Sequence, residues 1–396
     1  MSRTHLADLC RGVLEASWAS GERRGVPYAY TRPSPWRYPW QWYWDSCFAA
    51  IAWRRFDRAR CKSELGTLLG AMREDGFIGH VVFWDRPLSY RRLTYYNVTS
   101  RRAEMTGTIQ PPLLAWAWRI AVGDPAAESR IARHHVWLER ERDLEGDGLL
   151  WIVQPDESGL DSSPKFDPIW GRRSHAQWGF PLLVARNRRL GWNARGIRDR
   201  GWPVVCEVST NVLWGLARLA AGQSSITPAL TERLWDERRG LFLDEVQPGG
   251  ARPAISTWAA LAPLALPDLP EEIGRRLVEE HLLDRRRYWL EVPPASVSAE
   301  EPSFEPNRGP GLKRRYWRGP TWLNSAWLLW LGLRRLGYAE PARELAAALE
   351  AVVLREGLRE YYDPHTGAGL GARDFAWTSL VLELGDPEPD AERSYL

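Results

Sequence analysis

WIVQPDESGLDSSPKFDPIW, Trp151 to Trp170, sets the acids Asp156, Glu157 and Asp161 among glycine, serine, proline and flanking tryptophans. Neither a helical nor a strand period fits it, and Pro155, Gly159 and Pro164 interrupt any regular element, so it reads as a structured loop. Acids in a loop beside large aromatics suit a carbohydrate site. Indole faces stack on sugar CH surfaces, and a shielded carboxyl has its pKa raised and can donate a proton. Asp161 is the leading catalytic candidate. The same acids could equally cap the next helix or close Asx turns, and the stretch by itself leaves both readings open.

Outward from this loop the chain alternates helical patterns with long connections. Leu6, Leu9, Cys10, Val13, Leu14 and Trp18 recur at helical spacing up to Gly21. Ser46 to Phe56 and Ala59 to Met72 read as two helices meeting near Asp57, and a third starts behind Pro111 and Pro112. Further helices are expected over Ala126 to Arg142, Ala176 to Leu190, Cys206 to Ala220, Pro228 to Arg238, a run from Ser256, Glu271 to Leu283, Leu323 to Leu336, Ala339 to Val353 and Ala376 to Leu384. Between them lie aromatic, proline-rich or acidic segments: Thr31 to Ser46; Gly76 to Asn97, with His80, Trp84, Tyr90, Tyr95 and Tyr96; the stretch after Glu291; and REYYDPHTGAGLGARDF. Long connections of this kind are often lids or binding loops. With little strand pattern, the expectation is an all-α (α/α)6 toroid. It would form a single catalytic domain over 1–396, with cap loops at about 76–110 and 290–320 gathered at one mouth. No strand and helix alternation suggests a doubly wound sheet, and no fixed period suggests a solenoid.

Charge is nearly balanced, 53 basic against 50 acidic residues for a net +3, which singles out neither nucleic acid nor a membrane surface as partner. The 24 tryptophans exceed what a core requires and fit sugar stacking as well as interhelical packing. Cys10, Cys47, Cys61 and Cys206 lack the short paired spacing of a zinc knuckle or a disulfide framework. Asp8, Arg11 and Glu15 break any signal-peptide core and no apolar run reaches about 18 residues, so a cytoplasmic setting without membrane contact is expected. Homo-oligomerisation is compatible with the sequence.

Carboxylates carry the chemistry because the alternatives fail. His80, His134, His135, His175 and His365 show no metal-ligand spacing, and no GxSxG elbow, GxGxxG turn or phosphate loop is present. Neither cofactor nor metal is expected. Glycoside cleavage needs two carboxyls across one cleft, and the acidic loops around Asp161 and Glu360 meet that need if the fold brings them together. Asp45 reads by position as a helix N-cap or a sugar ligand, and Gln110, just before the two prolines, as a cap or a ligand contact.

WQWYWDS, GTIQPP, ESGLDSSP, RYWRGPTWLN and EYYDPHTGAGLGARDFAWT, in this order from about Trp36 to Trp377, together resemble glycoside hydrolase family 63, in particular its compact bacterial members acting on mannosylglycerate or glucosylglycerate. The resemblance implies an (α/α)6 barrel and an inverting mechanism, with Asp161 as general acid and Glu360 as the base that activates water. It also implies a sugar subsite of Tyr38, Trp40, Trp44, Asp45, Gln110, Tyr316, Trp317 and Trp322, and a small-molecule glycoside as substrate. On this reading Trp317→Ala should weaken binding more than folding. In one place the chain departs from the pattern: Asp156 stands before the glutamate of ESG where an aromatic is expected, which bears on the leaving-group side. Arg172, Arg173 and Arg318 are candidates for an aglycone carboxylate, against plain surface solvation. Other readings are an α-glucosidase or trehalase of related shape, and a sugar-binding protein or epimerase without an acid and base pair.

Overall fold

Apolar residues are distributed in two ways along the helices, and the difference decides where each helix lies. In α1 (Arg3–Ser17) only Leu6, Cys10, Leu14 and Ser17 are buried, a stripe with the period of one helix face. In α2 (Tyr43–Trp53) every residue is buried, so the helix is enclosed on all sides. The computed structural model describes residues 3–85, 88, 95–100, 102–306 and 316–385, and Tyr90 lies outside the described residues.

The enclosed kind recurs through the chain. After α3 (Arg58–Gly70) comes α4 (Leu114–Ala121), buried except at Arg119. The helices α5 (Glu128–Arg142), α6 (Asp167–Trp170), α7 (Phe180–Arg188) and α8 (Ala194–Asp199) lead to α9 (Val208–Ala220), buried without a break from Val208 to Ala217. Beyond α10 (Thr227–Leu234) the 3-10 helix Trp258–Ala265 is wholly buried. Then follow α11 (Glu271–Arg276), α12 (Leu323–Arg335) and α13 (Ala339–Glu356), and a second wholly buried 3-10 helix, Ala376–Leu384. The enclosed elements pack in a circuit. α2 lies against α4, α4 against α9, α9 against Trp258–Ala265, that helix against α12, α12 against Ala376–Leu384, and Ala376–Leu384 back against α2. One hydrophobic cluster runs from Leu6 to Leu384 through all of them.

Strands are more frequent than the sequence predicts, because each is too short to show a period. The hairpin β1 (Trp18–Arg23) and β2 (Val26–Thr31) replaces the expected end of the first helix. β3 (Gln41–Trp42) pairs with β4 (Val81–Val82), and β5 (Trp151–Ile152) with β6 (Val204–Cys206). The helix expected from Cys206 begins at Val208, since β6 occupies Cys206 and the Glu207 carboxylate caps the amides of Ser209 and Thr210. β7 (Trp235–Asp236) pairs with β8 (Leu241–Phe242), and β9 (Glu245–Gln247) with β6. β10 (Arg359–Tyr362) pairs with β11 (Gly369–Arg373), and Tyr362 also bridges to Thr321, just ahead of α12. Among the described residues no helix is long and apolar enough to cross a membrane.

Two buried ion pairs hold the Trp151–Trp170 stretch. Glu157 accepts from both ends of the Arg142 guanidinium, at 2.6 and 2.5 Å, and from the amides of Val153 at 2.8 Å and Ile109 at 3.1 Å. Lys165 bonds Glu207 and lies 3.1 Å from Asp244. Glu157 is therefore a structural acid, with both oxygens committed to the chain. Burial pushes the Asp244 carboxyl above the usual range, while the Lys165 charge holds Glu207 below it against its own burial.

Glu157→Gln leaves the buried Arg142 guanidinium uncompensated and should cost about 3–5 kcal/mol. Urea unfolding of the two proteins at neutral pH measures this as a lowered midpoint with an unchanged slope.

Candidate active site

The N-terminal ends of the enclosed elements supply the floor of a cavity. Asp45 stands in the first turn of α2, inside the helix rather than capping it, because the chain enters the helix at Trp42. Gln110 precedes α4, and its Oε1 accepts from the Trp44 amide at 2.9 Å, tying the ends of α2 and α4 together. Phe375 and Trp377 stand at the start of the last 3-10 helix. Around them an inner cavity of about 40 Å³ is lined by Tyr38, Trp44, Asp45, Gln110, Tyr316 and Glu360, with Trp42, Trp377 and Asp161. It adjoins an outer cavity of about 290 Å³ that shares Tyr38, Trp42, His80 and Asp161 and is completed by Arg37, Asn97, Asp156, His175, Gln177 and Trp178, among others.

The two acids singled out from the sequence thus face one space from opposite parts of the chain. Glu360 lies on β10, not in the expected loop. It is 1% exposed, with Oε1 accepting from the Tyr38 hydroxyl at 2.8 Å and Oε2 from the Ala372 amide at 2.8 Å. Gly371 packs against it so closely that a Cβ there would lie 2.5 Å from Glu360 Oε2. Asp161 is partly open, its side chain 15% exposed, with Oδ2 3.8 Å from His175 Nε2. Its position depends on Gly159, whose φ of +73° favours glycine and whose Cβ would sit 2.4 Å from the Trp44 ring.

Both carboxylates impose their field on the same neighbours. Burial pushes the Asp45 carboxyl well above the usual range, and the charges of Glu360 and Asp161 push it further. Tyr38 is driven well up by burial and then by Glu360, with Asp161 adding to it, and Tyr316 is raised by burial together with Tyr38, Glu360 and Asp161. Burial and the two neighbouring charges thus both favour the protonated form of Asp45, which can donate as well as accept.

Not every expected subsite residue reaches the cavity. Trp317 and Trp322 are 1% and 0% exposed and stack face to face, centroids 3.9 Å apart at 7°, so each occupies the other's face in the wall behind Tyr316. Trp40 packs edge-on against Phe83 at 5.4 Å and Tyr96 at 5.3 Å in a separate apolar cluster. Trp42, two residues on, lines the cavity instead. Arg318 donates to the Ser162 carbonyl at 3.0 Å and to Asp167 at 2.8 Å, which clamps the acid loop. Arg172 and Arg173 are exposed on a 3-10 turn and belong to neither cavity lining, whereas Arg37, unremarked in the sequence, lines the outer one. His80, Asn97 and His175 were also missed, since single polar residues in irregular stretches give no periodic signal. Among the described residues no three His, Cys, Asp or Glu side chains are grouped to hold a metal ion.

Two carboxyls lining one tryptophan-walled cavity in a mainly helical fold are the features of a glycoside hydrolase. Comparison with known proteins agrees. The chain belongs to the family described as the mannosylglycerate hydrolase MGH1-like glycoside hydrolase domain, whose model matches residues 38–378. It is 31% identical to a mannosylglycerate hydrolase of Thermus thermophilus, over 89% of this chain and 95% of that protein. It is 27% identical to the glucosylglycerate hydrolase of Mycolicibacterium hassiacum, over 89% of this chain and 93% of that one. A crystal structure of a family 63 mannosylglycerate hydrolase from another strain of Thermus thermophilus, in complex with Tris and D-glycerate, superposes with a TM-score of 0.79 at 28% identity, covering 96% of this chain and 99% of that one.

Because its indole is packed on both sides by protein, Trp317→Ala should cost about 3–5 kcal/mol of stability, reversing the expectation of a binding defect in a sound fold. Calorimetry should show a large drop in melting temperature. An unchanged melting temperature with a raised KM would restore Trp317 to the ligand.

Proposed function

We propose that this glycoside hydrolase inverts the configuration of a small α-glycoside, mannosylglycerate or glucosylglycerate, with Asp161 as general acid and Glu360 as general base. The observation that carries the reading is the placement of the two acids relative to the two cavities. Asp161 belongs to the wall of both, and Glu360 to the inner one alone. A sugar ring held in the inner cavity with its leaving group in the outer one puts the bond to be broken beside Asp161. Glu360 then faces the anomeric carbon from within.

Each role follows from its surroundings. Asp161, partly open and at the boundary, delivers a proton to the departing oxygen, which leaves as an alcohol into the outer cavity. Glu360 is held in place by two donors, the Tyr38 hydroxyl and the Ala372 amide, and accepts a proton from a water that attacks the anomeric carbon. Inversion requires the two carboxyls to stand roughly 6.5–9.5 Å apart so that water fits between. Asp45, Gln110 and the Trp42 and Trp44 indoles are suited to the sugar's hydroxyls and its apolar face.

The glycerate leaving group is supported by the relatives' activities and by D-glycerate in the related crystal structure. The circuit of enclosed elements supports an (α/α)6 toroid whose inner ring they form, in one catalytic domain; the expected cap loops at about 76–110 and 290–320 lie partly outside the described residues. The four buried, free cysteines fit a reducing, cytoplasmic setting.

Mutants separate the two roles. Asp161→Asn should lose at least about 100-fold on a glycerate glycoside and far less on an aryl glycoside whose leaving group needs no proton. Glu360→Gln should be impaired on both, because water must be activated whatever departs. Steady-state kinetics with the two substrates gives the test. An Asp161→Asn enzyme equally slow on both would remove the acid role, and a Glu360→Gln enzyme near wild-type on either would remove the base.

A further inference from the structure

Asp156 is used neither by this chemistry nor by the core. It follows β5 by four residues and lines the outer cavity with an 8% exposed side chain. In the sequence pattern this chain resembles, an aromatic stands here.

The hydrogen bonds around Asp156 run in a fixed direction. Trp192 Nε1 can only donate, and it gives its hydrogen to Gln154 Oε1 at 3.0 Å; Asn187 Nδ2 gives to the same oxygen at 3.2 Å. The Gln154 nitrogen is thereby turned to Asp156 Oδ1 and Asn97 Oδ1, both at 2.7 Å. With its oxygen so engaged, Asn97 directs its nitrogen to Asp156 Oδ2 and to Thr108 Oγ1. Each Asp156 oxygen therefore receives one N–H and keeps lone pairs for the cavity. The titratable groups about it are His80, whose Nδ1 is 4.0 Å from Oδ2, and Asp161 and Glu157, while Arg37 and His175 line the same cavity. Burial first, then the Asp161 charge, with Glu157 adding to it, pushes the Asp156 carboxyl up to about 7 against the lowering by its two amide donors.

We propose that Asp156 selects the leaving group: it accepts hydrogen bonds from aglycone hydroxyls, and it admits an aglycone bearing its own carboxylate only while Asp156 holds a proton. The inference rests on the hydrolase reading above and adds a discriminating residue to it. Two carboxylates sharing a desolvated cavity repel each other, whereas a protonated carboxyl donates a hydrogen bond to a carboxylate. A neutral polyol leaving group meets hydroxyl-compatible lone pairs in either state. An aromatic at this position would not change charge, and His80 and His175 titrate in the same cavity, so the part of the pH dependence that belongs to Asp156 is the part its substitution removes.

The experiment compares α-glucosylglycerate with α-glucosylglycerol, which share sugar and bond and differ by carboxylate against hydroxymethyl. kcat/KM for both is measured from about pH 5.5 to 8.5, a window in which a carboxylate of the glycerate kind stays ionised, since its pKa is roughly 3.3–3.7. Acid and base act on both substrates, so their titrations cancel in the ratio. For the natural chain the glycerate-to-glycerol ratio should fall as pH rises through about 7, approaching about tenfold per pH unit above it. Asp156→Asn turns an amide nitrogen toward a donor and could unfold the loop, so Asp156→Ser, smaller and still an acceptor, is the second variant, with turnover of the glycerol glycoside as proof of folding. A ratio that no longer varies with pH in whichever variant folds supports the proposal. A flat ratio in the natural chain, or the same slope in a folded variant, overturns it. Turnover of neither glycoside by the natural chain overturns the substrate reading beneath it, and the proposal with it.

Discussion

The buried bidentate pair of Glu157 and Arg142 is the constraint on which the site depends. Both side chains are almost fully removed from water, so each charge requires the other. Glu157 spends its remaining capacity on the amides of Val153 and Ile109, and Ile109 is the neighbour of Gln110. One carboxylate therefore joins α5, the strand entering the acid loop, and the segment that carries a cavity-lining glutamine. Four residues further along, Asp161 inherits its place from this anchor. Lys165 with Glu207 and Asp244, and Arg318 with Asp167, hold the loop from its other side.

The division of labour among neighbouring acids follows from what surrounds each. Glu157 lies between a guanidinium and two amides and serves the fold. Asp161, four residues on, borders both cavities and remains partly open. Asp45 is pushed well above the usual carboxylate range by its burial and by the charges of Glu360 and Asp161. Glu360 is fastened from behind by an amide and from the side by a tyrosine hydroxyl. In one low-dielectric space like charges raise one another's pKa, so that beyond burial Glu360 and Asp161 push Asp45 upward, while Glu157 is paired with Arg142.

Much of this was legible in the sequence where the physics is local. The one-faced stripe of α1 and the apolar runs of α2, α9 and α12 announced helices within a few residues of their bounds, and prolines and glycines marked the acid loop as irregular. Asp161 and Glu360 could be named because glycoside chemistry needs paired acids in aromatic loops. Tryptophans were harder, because an indole suits a core and a sugar equally well. Trp44 proved to line the cavity, Trp317 and Trp322 to stack on each other, and Trp40 to fill a second apolar cluster. The two-residue strands escaped notice since alternation needs length, and Arg37, His80 and Asn97 had no pattern to betray them. The arginines proposed by proximity failed for a similar reason: Arg318 is beside the site in sequence and is consumed by Asp167.

In the mechanism we propose, a water stands between Glu360 and the sugar while Asp161 protonates the opposite side. That geometry fixes the configuration of the first product. Proton NMR of an α-glycoside digest, recorded before mutarotation scrambles the anomers, tests it most directly. The β anomer appearing first is the predicted result. Release of the α anomer first would mean a covalent intermediate, and would contradict the base role given to Glu360.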